Sequence, residues 1–264
     1  MKILIQLFFL CLMDVWSLQA QSIQVFENTQ RSKTDIYLLI GQSNMAGRAE
    51  LGSGDDLIIR NVFLLNNDDK FEVARNPLNR YSTIRKSLDM QKLGPGYKFA
   101  QSLSQMTNDK SIGLVVNARG GSSIADWQPK GKYLNEIIRR ARAAQNFGCI
   151  KGVLWHQGES DCESVGEYSK QFKKMVRTLR KSLGLKNLPF FVGELGKWRT
   201  SYLGINTVLN KLSKKRENIY LVKADSLSHK GDVTHFSRES QLILGQRYAQ
   251  KVNEIVYKNI KNQK

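Results

Sequence analysis

Short runs of apolar, branched residues alternate along this chain with longer segments of helical periodicity, and this alternation constrains the fold more than any other feature. Six runs have the length of one buried strand each: Ile36–Ile40, Val62–Leu65, Ile112–Val116, Ile150–Trp155, Phe190–Val192 and Tyr220–Val222. Five segments have apolar residues at helical spacing: Tyr97–Met106, Leu134–Phe147, Tyr168–Leu183, Ile205–Lys215 and a terminal one carrying Leu244, Tyr248, Val252 and Ile255. The pattern predicts an α/β fold, a three-layer sandwich with a parallel, flavodoxin-like sheet of about five strands.

The length of 264 residues favours one domain, preceded by an export signal. Lys2 supplies a charged start, Ile3–Met13 is mostly apolar, and a small residue, Ala20, ends a cleavage-like site. We therefore expect a signal peptide over residues 1–20, a single domain over 21–264, and a secreted or periplasmic protein. The apolar run falls short of the ~20 residues that cross a bilayer, so no transmembrane segment is expected in the mature protein.

The net charge of +18 raises the question of a nucleic-acid partner. Much of the charge lies on the polar faces of predicted helices, as with Lys170 and Arg177 opposite Phe172 and Leu179. No aromatic-interleaved basic ribbon accompanies it, so no nucleic-acid partner is expected. Attraction to acidic glycans or anionic surfaces remains open.

Cysteines and histidines give no sign of a metal site. Cys149 and Cys162 flank one predicted strand, whose rise of ~3.3 Å per residue would hold them too far apart for a disulfide, so free, buried thiols are expected. His156 and His229 have no cysteine or paired histidine nearby in sequence. We expect no metal and no organic cofactor.

A serine directly follows the first predicted strand, in Gly41-Gln42-Ser43-Asn44-Met45. A tight turn flanked by glycines can expose the hydroxyl to a base that takes its proton, and can point backbone N–H groups at a developing oxyanion. The alternative is that Ser43 caps the following helix.

An aspartate and a histidine three residues apart follow the last predicted strand. On a turn, Asp232 and His235 face the same way, so the carboxylate can hold the imidazole in the tautomer that accepts a proton from a serine. The alternative makes Asp232 a helix cap and His235 a first-turn residue.

Two further polar segments follow strands between these points. Asn117–Ser123 contains Gly120 and Gly121, whose amides can approach a substrate oxygen closely. Trp155–Asp161 contains Gln157, which could donate another oxyanion hydrogen bond. Within this second segment His156 competes as a base, and Glu159 and Asp161 compete as acids.

Taken together, these four segments resemble the blocks of the SGNH hydrolase superfamily, and more narrowly its carbohydrate esterase family 6, or sialate O-acetylesterase domain, branch. The resemblance runs in order from about Thr34 to Tyr248. It implies a serine esterase that removes O-acetyl groups from carbohydrates. An acetylated carbohydrate is thus the expected partner, with acetylxylan-type or general sugar acetylesterase activity ahead of sialate O-acetylesterase activity. A non-catalytic carbohydrate-binding protein on a hydrolase scaffold is the alternative from another class.

The resemblance also implies roles for individual residues. Ser43 is the expected nucleophile, His235 the base and Asp232 its orienting acid. The expected oxyanion hole consists of the Ser43 and Gly120 or Gly121 amides and the Gln157 side chain, where the wider superfamily has an asparagine. The expected supporting residues are Gln42, Asn44, Glu159 and Glu194.

The residues that select the substrate are less well defined. The irregular segment Ala49–Leu93 is a long connection of the kind that often has a function. Trp127 and Trp198 could stack on sugar rings, although core packing is the more common use of an indole.

Overall fold

The computed structural model describes residues 34–108, 110–215 and 218–258. Its strands are β1 (Thr34–Gly41), β2 (Val62–Leu65), β3 (Phe71–Val73), β4 (Ile112–Ala118), β5 (Gly148–His156), β6 (Phe190–Gly193) and β7 (Ile219–Val222). Its α-helices are α1 (Ser43–Ala46), α2 (Gly96–Met106), α3 (Lys132–Gln145), α4 (Val165–Leu183), α5 (Leu203–Lys215) and α6 (Arg238–Val252). Every predicted strand and helix is present, with ends that differ by a few residues at most. The predicted signal peptide lies outside the described residues.

The strands form one sheet in the order β3-β2-β4-β1-β5-β6-β7, parallel except for β3. Within it, β4-β1-β5-β6-β7 has the flavodoxin-like order 2-1-3-4-5. The prediction of a parallel, flavodoxin-like α/β sheet is confirmed. The sheet has seven strands rather than about five, because β2 and β3 extend it beyond β4.

Helices cover both faces of the sheet, as the buried strands require. Alternate residues of β1 point to opposite faces, so Ile36 and Leu38 pack with α3, α4 and α5, while Tyr37 and Leu39 pack with α2 and α6. No helix in the described ranges combines the length and the apolar character needed to span a bilayer.

The segment Ala49–Leu93 contains more structure than the sequence pattern indicated. β3 pairs antiparallel with β2 at the sheet edge, and an antiparallel bridge joins Ala49 to Leu93. β3 escaped prediction because it is three residues long and alternates apolar and charged side chains next to polar turns. The segment therefore begins and ends at one point of the fold.

Both described cysteines are free, as predicted, but they are not buried. Cys149 is exposed and Cys162 is half-buried, because each lies at the margin of the strand or turn that carries it rather than in its apolar centre.

The carboxyl ends of β1, β4 and β5 meet where the strand order reverses, which is where α/β sheets bind ligands. Gly41, the last residue of β1, lies so close to β5 that a Cβ there would be 2.1 Å from the His156 carbonyl oxygen. Its φ of +136° is also one that side chains disfavour. A glycine is needed to bring the two strand ends together, and Ser43 and Gln157 follow directly from them.

Candidate active site

A cleft of about 300 Å³ opens at these strand ends. Six of the predicted site residues line it: Gln42, Ser43, Gly120, Gly121, Glu159 and His235. The remaining lining residues were not predicted: Arg48, Lys86, Met90, Ser160, Arg199, Tyr202 and Thr234. The cleft thus combines segments that are far apart in the sequence.

Ser43 is the first residue of α1, and its backbone position differs from that of a cap. Gln42 occupies the cap position and makes no capping hydrogen bond with its side chain. Ser43 is 6% exposed, and what it exposes faces the cleft that His235 also lines. The capping alternative for Ser43 is therefore not what the geometry shows.

The spacing of Asp232 and His235 produces a direct contact between their side chains. The Asp232 Oδ2 atom lies 2.6 Å from His235 Nδ1, while its Oδ1 accepts hydrogen bonds from the backbone N–H groups of Thr234 and His235. Partial burial raises the pKa of Asp232, but these hydrogen bonds from His235 and Thr234 outweigh it and hold that pKa well below its usual range. Asp232 is therefore ionised and fixed against one ring nitrogen.

These residues lie on a closed loop, not on a helix. An antiparallel bridge joins His229 to Phe236, and the Lys230 N–H donates to the His235 carbonyl at 2.9 Å. Between them Val233 has a φ of +50°, which is strained for a β-branched residue. The Trp198 indole N–H donates to the Val233 carbonyl at 2.9 Å and supports the loop.

The side chain of Asn44 connects α1 to the histidine loop, which spans His229–Phe236. Its Nδ2 donates to Glu159 Oε1 at 2.6 Å and to the Thr234 carbonyl at 3.2 Å, and its Oδ1 accepts the Phe236 N–H at 3.1 Å. Asn44 is 1% exposed and absent from the cleft wall. It therefore supports the site from behind.

Glu159 and His156 lie next to each other in the interior but do not form an ion pair. His156 Nε2 lies 3.8 Å from Glu159 Oε1. Burial lowers the pKa of His156 to about 3, and burial raises the pKa of Glu159 to about 7 against the opposing hydrogen bond from Asn44. His156 is thus neutral and shielded from the cleft, which removes it as a competing base.

The raised pKa of Glu159 predicts a pH-dependent stability difference. From about pH 4.5 to about pH 7 the folded state holds a proton that the unfolded chain has lost, so this group costs stability as the pH rises through that window, by at most about 3 kcal/mol. Glu159→Gln keeps the acceptor for Asn44 and has no charge. We expect the variant to gain stability relative to wild type between about pH 5 and about pH 8, as measured by urea unfolding.

Glu163→Gln is the matched control for that measurement, because Glu163 is an exposed acid four residues away. The difference in unfolding free energy between Glu163→Gln and wild type should be the same at about pH 5 and at about pH 8. A constant difference for Glu159→Gln as well would contradict the raised pKa.

Two glycines, Gly120 and Gly121, line the cleft together with Ser43 and His235. Gly120 and Gly121 donate to no backbone acceptor in the described part of the chain, so both N–H groups are available to a ligand. A Cβ on Gly120 would lie 2.4 Å from Arg48 Nη2 and 3.6 Å from Ser43 Cβ. The absence of a side chain therefore lets backbone approach the serine.

Four predicted residues do not line the cleft: Asn44 and Asp232, described above, and Gln157 and Glu194. Gln157 is fully buried, and its Nε2 donates to the Ser122 carbonyl at 3.0 Å, to Gln42 Oε1 at 3.2 Å and to Asp161 Oδ2. Glu194 accepts the Ala224 N–H at 3.1 Å and pairs with Lys197. The strand end turns these side chains inward, which residue spacing alone did not reveal.

Neither tryptophan that could stack on a sugar lines the cleft. Trp127 is fully buried against Trp155 and donates to Ser122 Oγ at 3.1 Å. Trp198 packs edge-on against Phe236 and supports the histidine loop.

The cleft wall carries cations that sequence reasoning missed. Arg48 is 7% exposed, donates to the Gly47 and Met90 carbonyls, and forms no ion pair with a described residue. Lys86 and Arg199 also line the cleft. No spacing signal identified them, because they lie on connections whose path only the fold determines.

A second cavity, of about 770 Å³, lies between α4 and β7 and contains none of the predicted site residues. Four of its cations, Lys173, Arg177, Arg180 and Lys181, belong to α4, whose polar face the charge pattern predicted to be basic. Nowhere in residues 34–108, 110–215 and 218–258 do three His, Cys, Asp or Glu side chains form a group able to hold a metal ion.

Comparison with known proteins gives one matching family model, described as carbohydrate esterase, sialic acid-specific acetylesterase, over residues 33–254. A protein of Arabidopsis thaliana named "probable carbohydrate esterase" is 31% identical over 243 residues, which cover 81% of this chain and 88% of the plant protein. The X-ray structure of that plant protein superposes with a TM-score of 0.76 at 26% identity, covering 86% of this chain and 99% of the other.

Two more distant structures share the fold. A carbohydrate acetylesterase from Xanthomonas citri has a TM-score of 0.61 at 20% identity, covering 84% of this chain and 57% of that one. A protein of Parabacteroides merdae described as GDSL-like has a TM-score of 0.54 at 13% identity, covering 84% of this chain and 97% of that one.

Proposed function

This chain belongs to the carbohydrate esterase, sialic acid-specific acetylesterase family, and from that membership we propose that it is a serine esterase that removes O-acetyl groups from carbohydrates. The observation that carries the proposal is the 2.6 Å contact of Asp232 with His235 on the same cleft as Ser43. The sequence resemblance had pointed to the same SGNH branch. An acetylated carbohydrate is accordingly the proposed substrate.

The proposed reaction is acyl transfer in two steps. The Ser43 hydroxyl attacks the acetyl carbonyl and gives its proton to His235 Nε2, while ionised Asp232 holds the Nδ1–H and stabilises the imidazolium. His235 then protonates the departing sugar oxygen, which leaves an acetyl-serine. Water attacks this ester with His235 as base, and acetate and free Ser43 result.

The oxyanion formed in each step needs donors placed in advance. The backbone N–H groups of Ser43 and Gly120 or Gly121 suit this role because all three residues line the cleft. Gly120 supports it further through its closeness to the Ser43 Cβ atom.

For the substrate specificity, we propose first a general sugar acetylesterase activity of the acetylxylan type. Sialate O-acetylesterase activity is the second proposal, and a specific observation favours it. Arg48, Lys86 and Arg199 line the cleft, and Glu159, the acid among the lining residues, has its pKa raised to about 7. An anionic sugar would find an opposite charge there.

A substrate panel tests these proposals. We expect acetate release from acetylated xylan oligomers and from 9-O-acetyl sialic acid, with the cationic wall lowering KM for the second. Arg48→Met should then raise KM for the sialate about tenfold and leave KM for the xylan oligomer nearly unchanged. Equal effects on both substrates would exclude a role of Arg48 in binding the carboxylate.

We propose that residues 1–20 direct export, so that the enzyme meets its substrate outside the cytoplasm. We also propose that residues 21–264 form a single esterase domain. The apolar run of Ile3–Met13 supports the first, and the one continuous sheet supports the second.

A further inference from the structure

We propose that the side-chain amide of Gln42, rather than that of Gln157, is the third oxyanion donor of this site. The inference rests on the proposed esterase function and assigns a catalytic role to a residue that sequence reasoning treated as supporting. It is carried by the direction in which the Gln42 amide is held.

The Gln42 side chain has its oxygen fixed on the protein side. Oε1 accepts hydrogen bonds from Gln157 Nε2 at 3.2 Å, from the Gly158 N–H at 3.2 Å and from the Ser160 N–H at 3.4 Å. A flipped amide would set its own N–H groups against these donors. The hydrogen-bond pattern therefore allows one orientation, with Nε2 on the opposite side.

The nitrogen faces the cleft. Gln42 is 2% exposed and lines the cleft beside Ser43. Within the described ranges Nε2 makes no hydrogen bond, and it is absent from the buried polar atoms that lack a partner, so its small exposed area borders the cleft. Two N–H groups with no protein acceptor thus lie next to the serine.

Gln157 cannot serve the same purpose in this arrangement. Its Nε2 carries two hydrogens and already has three buried acceptors, on Ser122, Gln42 and Asp161. The side chain is fully buried and does not line the cleft. Gln157 is therefore a positioning residue, which holds Gln42 by one of the three hydrogen bonds to Oε1.

The chemical role follows from the reaction. When Ser43 Oγ bonds to the acetyl carbon, the carbonyl π electrons move to oxygen, and that oxygen becomes an anion. Gln42 Nε2–H donates a hydrogen bond to it without transferring a proton, alongside the backbone N–H groups of Ser43 and Gly120. When the carbonyl re-forms, the hydrogen bond weakens again.

Gln42→Glu tests this, because a carboxylate keeps an oxygen for the Gln157, Gly158 and Ser160 donors and replaces the NH₂ group by a second oxygen. Losing one oxyanion donor costs about 10²–10³-fold in kcat. We expect a kcat loss of at least that size, KM within about threefold, and at least tenfold weaker inhibition by a boronic acid that mimics the tetrahedral intermediate. Gln101→Glu, on a surface helix, is the matched control and should behave as wild type.

Urea unfolding shows whether each variant folds. If Gln42→Glu does not fold, the same kcat and inhibitor measurements on Gln42→Ala, which also lacks the NH₂ group, decide whether Gln42 is the donor. Gln157→Ala should lower stability more than Gln42→Glu does and lower kcat less. If Gln42→Glu keeps kcat within threefold of wild type while Gln157→Ala loses 10²-fold, Gln157 is the donor and the proposal is overturned. Failure of the esterase function itself is distinguishable, since wild type would then release no more acetate than Ser43→Ala.

Discussion

Ser43→Ala is expected to lower acetate release from a small chromogenic acetate ester by at least about 10⁴-fold, because Ser43 is the cleft hydroxyl that follows the β1 strand end beside Gly120. Ser160, Tyr202 and Thr234 also line the cleft, but none of them follows that strand end. The variant should remain folded, since Ser43 Oγ makes no hydrogen bond among the described residues. Initial rates and urea unfolding measure the two effects.

Ser53→Ala is the matched control, because Ser53 is exposed on a turn outside the cleft. It should leave the rate unchanged. A Ser43→Ala rate within tenfold of wild type would place the nucleophile elsewhere. If wild type is itself no faster than Ser43→Ala, while both bind acetylated oligosaccharide, the protein is a carbohydrate-binding protein on a hydrolase scaffold.

Asp232→Asn should lower kcat about 10³–10⁴-fold while the loop keeps its shape. The asparagine oxygen can still accept the Thr234 and His235 backbone N–H groups that Oδ1 accepts now. Its NH₂ group would then face His235 Nδ1, which forces the proton onto Nε2. In that tautomer the ring cannot take the proton of Ser43.

Glu159→Gln tests whether Glu159, rather than Asp232, is the acid that orients His235. Glu159 contacts Asn44 and has no hydrogen bond to His235 among the described residues, so the variant should retain at least a tenth of the wild-type kcat. The reverse order of effects, with Glu159→Gln the more damaging variant, would assign the orienting role to Glu159.

Much of the fold could be predicted from the sequence, because buried parallel strands are short apolar runs and covering helices have a period of 3.6. Val62–Leu65 shows this well, since its predicted and observed bounds coincide. Phe71–Val73 shows the limit. This edge strand is held by hairpin pairing with β2 across a short turn, and its three residues are too few to show a strand pattern.

Within the site, the sequence predicts contacts between neighbouring residues but not contacts between distant segments. Asp232 and His235 are three residues apart, so local geometry alone could bring them together. The inward turn of Gln157 and the outward amide of Gln42 depend on Ser122, Gly158 and Asp161, which come from two different strand ends. Spacing along the chain cannot determine which of two glutamines faces a cleft.

The bridge between Ala49 and Leu93 brings the two ends of this segment together. Between these ends the segment is part of the fold, since its strand β2 pairs with β4 and its Asp55 forms an ion pair with Arg238 at the start of α6. None of Ser43, Asp232 and His235 lies on it, but it carries Lys86 and Met90, which form part of the cleft wall. We expect a graft of the corresponding segment from a relative to change which sugar is accepted while the acyl-transfer chemistry continues, so that substrate range and reaction can diversify separately in this architecture.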